Sequence, residues 1–407
     1  MKILHTADWH MNNRLGYEDL SADIVGALEQ IAVYLESEDV DVLLVAGDLF
    51  SEKSRDEGFQ KALGEIRRIF GGFVARGGSI LGVAGNHDSE LKFESLRHAL
   101  WLSGAGAHGK FVLTANPQGP ICLTGRDGQS VQFILLPYPT PRAYLDGDQK
   151  YTSVEEKNRV VQSAFSEALS FARGRLDPLL PSVLVSHIHL CGAHTHSTFE
   201  ITENEDVIFD ISQIPNAFAY AAYGHIHKPG PVGGAAHIRY SGSPIALDAA
   251  ERHDAKSCAL FEIRDNVLAG EIALLPIRGP KIHVETCDLT TDSPEEAVQK
   301  LAARVAKTDL LNCTLRYNAG QNLNIREIRQ SIKNQIPRVY ALAEERINAE
   351  FGDAPPVLSA ESAGVAKRDA PQIVREYLTK NLENHARRES LLARAESLLA
   401  RQTADEE

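Results

Sequence analysis

The 407-residue chain has no run of apolar residues approaching the roughly 18 that a membrane-spanning helix needs, so a helical membrane protein is excluded. The opening MKILHTADWH has neither the basic cluster nor the apolar stretch of an export signal, and a cytoplasmic protein with no membrane association is the expectation. Cysteine is scarce: Cys122, Cys191, Cys258, Cys287 and Cys313 are odd in number and form no CxxC pair, which argues against a disulfide framework. They read as reduced thiols and small core residues. Positive charge is also short, with 42 Lys and Arg against 55 Asp and Glu and a formal net charge of −13. A protein that holds nucleic acid through a uniformly basic surface is therefore excluded. Any polyanion has to be met locally, and bound divalent cations would supply part of that local charge. No internal repeat is visible, which removes solenoid architectures.

What is present is an ordinary globular composition, 43% hydrophobic and 24% charged, in a chain long enough for one large domain with smaller appendages. Short apolar runs at 3–7, 42–46 and 80–84 each end in a polar cluster and are separated by amphipathic stretches such as 23–35. This is a β-α-β-α pattern. Further buried strands are predicted at 131–136, 182–186 and 219–223, a helix over about 154–172, and strands near 237–241, 258–263 and 271–276. An α/β domain of stacked sheets flanked by helices is thus expected over 1–280.

After Pro280 the pattern changes. A strand IHVETCDL leads to Ser293-Pro294-Glu295-Glu296, in which Ser293 can cap a helix, Pro294 fits its first position and Glu296 can close a capping box. A strand at 310–317, a helix capped near Asn324 with Glu327 three residues on, and a strand at about 338–346 complete a small α+β domain over 281–350. Residues 351–371 are rich in Gly, Ala, Pro and Ser and read as a linker. Leucines and alanines at roughly helical spacing then suggest a helical tail over 372–407.

Chemistry-bearing residues gather where strands end. Asp8 and His10 follow the first strand, and alternation along an extended segment would put both on one side. Gly47-Asp48 follows the second strand, and Gly85-Asn86-His87-Asp88 the third. His187 follows SVLVS, and Gly224-His225-Ile226-His227 follows AYAAY, its histidines again alternating onto one side. Each motif alone has a plain structural reading as a turn or a helix cap. Five strand ends carrying Asp, Asn and His without thiolates point instead to divalent cations in open coordination.

In this order, D-x-H, G-D, G-N-H-D, H and G-H-x-H resemble the calcineurin-like metallophosphoesterases. The segments KILHTADWH, AGDLF, AGNHDS, YGHIH and RYSGSPIAL are similar to the SbcD branch of that superfamily, its break-repair nucleases. The resemblance implies a four-layer α-β-β-α sandwich with a small capping domain and a C-terminal helical tail. It implies that Asp8, His10, Asp48 and His227 hold one metal ion and Asp48, Asn86, His187 and His225 another, most simply Mn²⁺, with His87 as the catalytic histidine. Two cations about 3.5–4 Å apart clamp a phosphate and lower the pKa of water between them. Asp88 either orients His87 or stabilises its turn. The branch further implies DNA as substrate, an SbcC-type ATPase bound through the C-terminal helices, and a homodimer. The pattern departs from some relatives at Ser51, where they carry a second histidine, and the Pro-rich continuation common there is absent.

Three secondary features carry weaker readings. His189, His194 and His196 read as loop residues beside His187. Arg239, Ser241, Gly242 and Ser243 form a polar turn that either contacts phosphates or is a plain β-turn. Arg326, Arg329 and Lys333 share a helical face and read as solvated charges. Two other functions remain compatible with the residues. One is a calcineurin-like phosphatase or phosphodiesterase acting on a non-DNA substrate, and the other a scaffold protein whose metal site is vestigial.

Overall fold

The computed structural model describes residues 1–347 apart from 52–55, 104–108, 148–149, 192–206 and 215–217. The chain divides into one unit of Met1–Ile347 and another of Asn348–Glu407. The linker and tail expected at 351–407 lie outside the described residues, as do His194 and His196.

Two six-stranded sheets form the centre of the first unit. One runs in the order Val267–Pro276, Ser257–Arg264, Lys2–Thr6, Val42–Ala46, Ser79–Val83, Phe111–Thr114. The other runs Gly230–Val232, Ala235–Tyr240, Tyr220–Gly224, Ser182–His187, Ser130–Leu136, Gln118–Thr124. Their central strands are parallel, so all of them end on the same edge of their sheet. Alternate residues sort between layers. Ile3, Leu44, Leu81, Phe133 and Val185 fill the space between the sheets, while Leu4, Leu43 and Val45 face outward against Leu28 and Ile31 of the Ser21–Ser37 helix and Ile66 and Phe70 of the Asp56–Ala75 helix. Ile134, Leu184 and Tyr223 pack on Val161, Phe165 and Leu169 of the Val154–Arg173 helix. Both faces of each sheet are buried, which is why VLLVA and SVLVS read as unbroken apolar runs rather than alternating ones. The result is the expected four-layer α-β-β-α sandwich. Each fully buried side chain such as Phe165 contributes about 1.5–3 kcal/mol.

The third sheet consists of Ile282–Asp288, Leu310–Asn318 and Val339–Ile347, all parallel, with the Pro294–Ala302 and Ile325–Gln335 helices. Ser293 and Glu296 form the predicted capping box, and the Asn324 side chain accepts from the Glu327 amide. Leu301, Cys313, Leu315, Ile328 and Ile332 give this part its own core, yet Ile282, Leu310 and Tyr340 belong to the core under the first sheet. Arg338 reinforces the junction, donating to both carboxylate oxygens of Asp23 at 3.1 and 2.6 Å.

Three sequence expectations need correction. Cys122 and Cys191 are exposed; only Cys258, Cys287 and Cys313 are buried. The strands Phe111–Thr114 and Gln118–Thr124 were not foreseen, because each sits at the edge of its sheet with one side half-open and so carries a weak apolar pattern. Asp8 and His10 do not lie on an extended segment; the strand ends at Thr6, and both residues turn left-handed. No helix of the described residues is long and apolar enough to cross a membrane.

Candidate metal centre

All five motifs meet at the C-terminal edge of the parallel strands, the usual place for a site in an open α/β sheet. Backbone geometry brings them together. Asp8, His10, Asp48 and His225 all have positive φ, at 53°, 44°, 50° and 101°, a conformation that costs a non-glycine residue about 1–3 kcal/mol and persists only where the surroundings enforce it. Here the loops are laced together: the Asp8 amide donates to the Gly47 carbonyl at 2.9 Å, and the His10 amide to the Asp48 carbonyl at 2.9 Å. Gly47, at φ 92°, and Gly85 permit the crowding, since a Cβ on either would lie 2.1 Å from His187 Nδ1 or Asp48 Oδ1 respectively.

One group comprises Asp8, His10 and His227, whose ligand atoms lie within 4.8 Å of one another. His10 Nε2 is 3.1 Å from His227 Nε2 and 3.4 Å from Asp48 Oδ2. In the second group His187 Nε2 is 3.4 Å from the same Asp48 Oδ2 and 3.0 Å from Asn86 Oδ1, which is also 3.0 Å from His225 Nδ1. Asp48 Oδ2 therefore stands between the groups. His225 and His227 do not share a side by strand alternation: the turn at His225 sends one ring to each group. The half-buried His87 sits beside His10, ring centroids 5.0 Å apart, and its amide donates to Asp48 Oδ1 at 2.9 Å.

Electrostatics match a cation site. Burial drives His10 down to about 3, leaving a neutral imidazole with a lone pair to give. Burial also opposes charge on His187, but Asp48 and Asp8 overcome it and lift the ring to about 9. Burial likewise works against the Asp48 anion, yet His187 and His10 hold it well below the usual carboxylate range. The buried carboxylates thus call for positive charge while two imidazole nitrogens face each other at 3.1 Å, and a divalent cation answers both demands. The donor set of carboxylate, imidazole and amide oxygen fits such ions. His187 is held for this role by its Nδ1–H, which donates to the Ala46 carbonyl at 2.7 Å and so turns Nε2 toward the site, where a bound cation would take the place of its proton.

The sequence profile of calcineurin-like phosphoesterases matches residues 1–229. The chain belongs to that family. Similar proteins include the SbcD subunit of the SbcCD nuclease of Escherichia coli K12, 26% identical over 260 residues that cover 61% of this chain and 61% of that one. Its counterparts of the same name from Staphylococcus epidermidis and Rhodobacter capsulatus are 27% and 30% identical, covering 68% and 62% of this chain and 71% and 64% of theirs. This phosphoesterase thus aligns with less than two thirds of the Escherichia coli protein's length.

Around the phosphoesterase centre the structure decides questions that the motifs left open. Asp88 secures turns: its carboxylate accepts from the amides of Gly85, Leu49 and Phe50 at 2.9, 3.1 and 2.9 Å. His189 is buried rather than on an open loop, its ring 6.0 Å from that of His225. The 241–243 turn is also buried, and the Ser243 amide donates to the His227 carbonyl at 3.1 Å. Arg329 pairs with Glu344 at 2.7 Å, while Arg326 and Lys333 are exposed.

Two neighbours of the site escaped the sequence reading altogether. Tyr138 stacks on His225, centroids 5.9 Å apart, and Glu251 accepts from His227 Nδ1 at 2.8 Å. Tyr138 lies in an ordinary YPTP turn, and Glu251 in the charged stretch AERHDAK, which has the composition of a surface loop. No spacing rule connects either residue to a histidine.

Proposed function

We propose that this phosphoesterase is a metal-dependent DNA nuclease, acting as a double-strand exonuclease and single-strand endonuclease in DNA repair and recombination with an SbcC-type ATPase. The observation that carries the reading is the convergence of Asp8, His10, Asp48, Asn86, His187, His225 and His227 on one strand edge, with Asp48 Oδ2 within 3.4 Å of a histidine from each group. Similarity to the SbcD subunits of SbcCD nucleases supports the substrate. Asp8, His10, Asp48 and His227 would hold one cation and Asp48, Asn86, His187 and His225 the other; a carboxylate, imidazole and amide set accepts several divalent ions, of which the family resemblance favours Mn²⁺. Bound cations would supply Lewis acidity and charge to meet a phosphodiester. His87, beside His10 and half-open to solvent, positions a proton for the leaving oxygen. The net charge of −13 leaves backbone phosphates to be met locally, at the metal centre and by the small domain that follows Pro280. The expected helical tail is the docking element for the ATPase, and a homodimer is the assembly.

The test is cleavage of end-labelled double- and single-stranded DNA by the purified chain in Mn²⁺, beside bis-p-nitrophenyl phosphate. His87→Ala is expected to lower DNA cleavage by about 10²–10⁴-fold while leaving Mn²⁺ uptake intact. Hydrolysis of the small ester with DNA left uncut, even after an SbcC-type ATPase is added, would assign the site to a non-DNA substrate.

A further inference from the structure

Of the histidines that face the centre through Nε2, His187 and His227, one from each group, are backed differently. His187 Nδ1 is met by a neutral backbone carbonyl, that of Ala46, at 2.7 Å. His227 Nδ1 is met by the Glu251 carboxylate at 2.8 Å. Glu251 is 3% exposed, and its second oxygen is fully engaged: Lys256 Nζ donates to Oε2 at 2.6 Å, the Leu247 amide donates at 3.2 Å, and Ser243 Oγ lies 3.0 Å away. Lys256, itself buried, donates onward to the His227 carbonyl at 2.9 Å. The chain His227–Glu251–Lys256 thus closes on itself, fixing the ring through its Nδ1 and the backbone through its carbonyl. Gly242 permits this approach, because a Cβ there would lie 2.5 Å from the His227 carbonyl oxygen.

A carboxylate behind an imidazole fixes the tautomer, orients the ring and makes the opposite nitrogen a better electron-pair donor. A peptide carbonyl does the first two and much less of the third. The groups also differ in that His187 faces the uncharged Asn86 Oδ1 at 3.0 Å, although Asp8 lies within ligand distance of both His187 and the His10–His227 pair. We propose that Glu251, held by Lys256, is a positioning residue that makes the Asp8–His10–His227 half of the centre the tighter of two unequal cation sites. This rests on the two-cation reading of the centre. Lys256 has a definite part in it: a carboxylate this deeply buried without a cation would be strongly disfavoured, and the ammonium keeps it ionised and aimed.

The test is a Mn²⁺ titration of the chelator-treated full-length chain by calorimetry, read alongside electron paramagnetic resonance. The wild type is expected to show two binding events of different affinity. Glu251→Gln keeps an acceptor for His227 Nδ1–H but removes the charge, and should weaken the tighter event alone by about 10–100-fold. Asn86→Ala should weaken the other event and thereby assign the two. Because Glu251→Gln leaves Lys256 only the more distant Asp254 carboxylate at 3.5 Å, the double variant Glu251→Met with Lys256→Met, which removes the buried 2.6 Å ion pair whole, is the second arm. It should melt in chelator close to wild type and still lose the tighter event. A double variant that folds and binds both ions like wild type would overturn the role of Glu251 while leaving the metal centre standing. A wild type that takes up no Mn²⁺ would overturn the two-cation reading, and this inference with it.

Discussion

Crowding at single residues decides whether this centre can form. Gly85 packs against the carboxylate that joins the two ligand groups, and a methyl group there would meet Asp48 Oδ1 at 2.1 Å. Gly85→Ala is therefore expected to displace Asp48, lower stability by about 1–3 kcal/mol in chelator and weaken Mn²⁺ uptake by about tenfold or more, read by urea unfolding and calorimetry. Asp88 acts on the same turns from the other side. Its removal strands three buried amides, those of Gly85, Leu49 and Phe50. Asp88→Ala should cost on the order of 3 kcal/mol, measured by urea unfolding with EDTA present so that the cost of the turns is separated from any loss of ions.

At the scale of elements, the short third sheet has a core of its own but leans on the Ser21–Ser37 helix through Arg338. Asp23 and Arg338 are each 19% exposed, so solvent screens the pair only in part. Arg338 forms a double hydrogen bond to one carboxylate, and Glu18 stands 3.8 Å away. Arg338→Ala should destabilise the junction by about 1–2 kcal/mol. The expected signature in hydrogen exchange is faster exchange across Val339–Ile347 with no change in Ser182–His187; uniform protection in both would show that the junction does not depend on this arginine.

For the whole molecule, folding gathers carboxylates and imidazoles that the unfolded chain keeps apart, so ions that bind only the gathered set stabilise the fold by mass action. At a Mn²⁺ concentration a hundred times the dissociation constant, the gain is about 2.7 kcal/mol for each site. The melting temperature should rise with Mn²⁺ and fall with EDTA in the wild type, and the response should vanish in Asp48→Asn, because Asp48 faces both groups. A full Mn²⁺ response in that variant would remove Asp48 from the centre.

The sandwich was legible because strands buried on both faces must be apolar throughout, as VLLVA and SVLVS are, and the small part after Pro280 because a helix advertises its start, as Ser293 and Asn324 do. The gathering of the polar residues of the centre was legible for a related reason: the ends of parallel strands share an edge, so chemistry written after each strand is brought together by topology alone. The edge strands at 111–114 and 118–124 were not, since half-exposed strands need no clear pattern. Strand alternation by itself put His225 and His227 on one side, whereas the family resemblance divided them between the groups, and the positive φ at His225 departs from that alternation. Glu251 and Lys256 belong wholly to the tertiary structure. By itself the sequence determined the layers and which residues reach the edge, since both follow from local pattern; only folding decided what stands behind each ligand, since a hydrogen bond from His227 to Glu251 depends on where two separate turns come to rest.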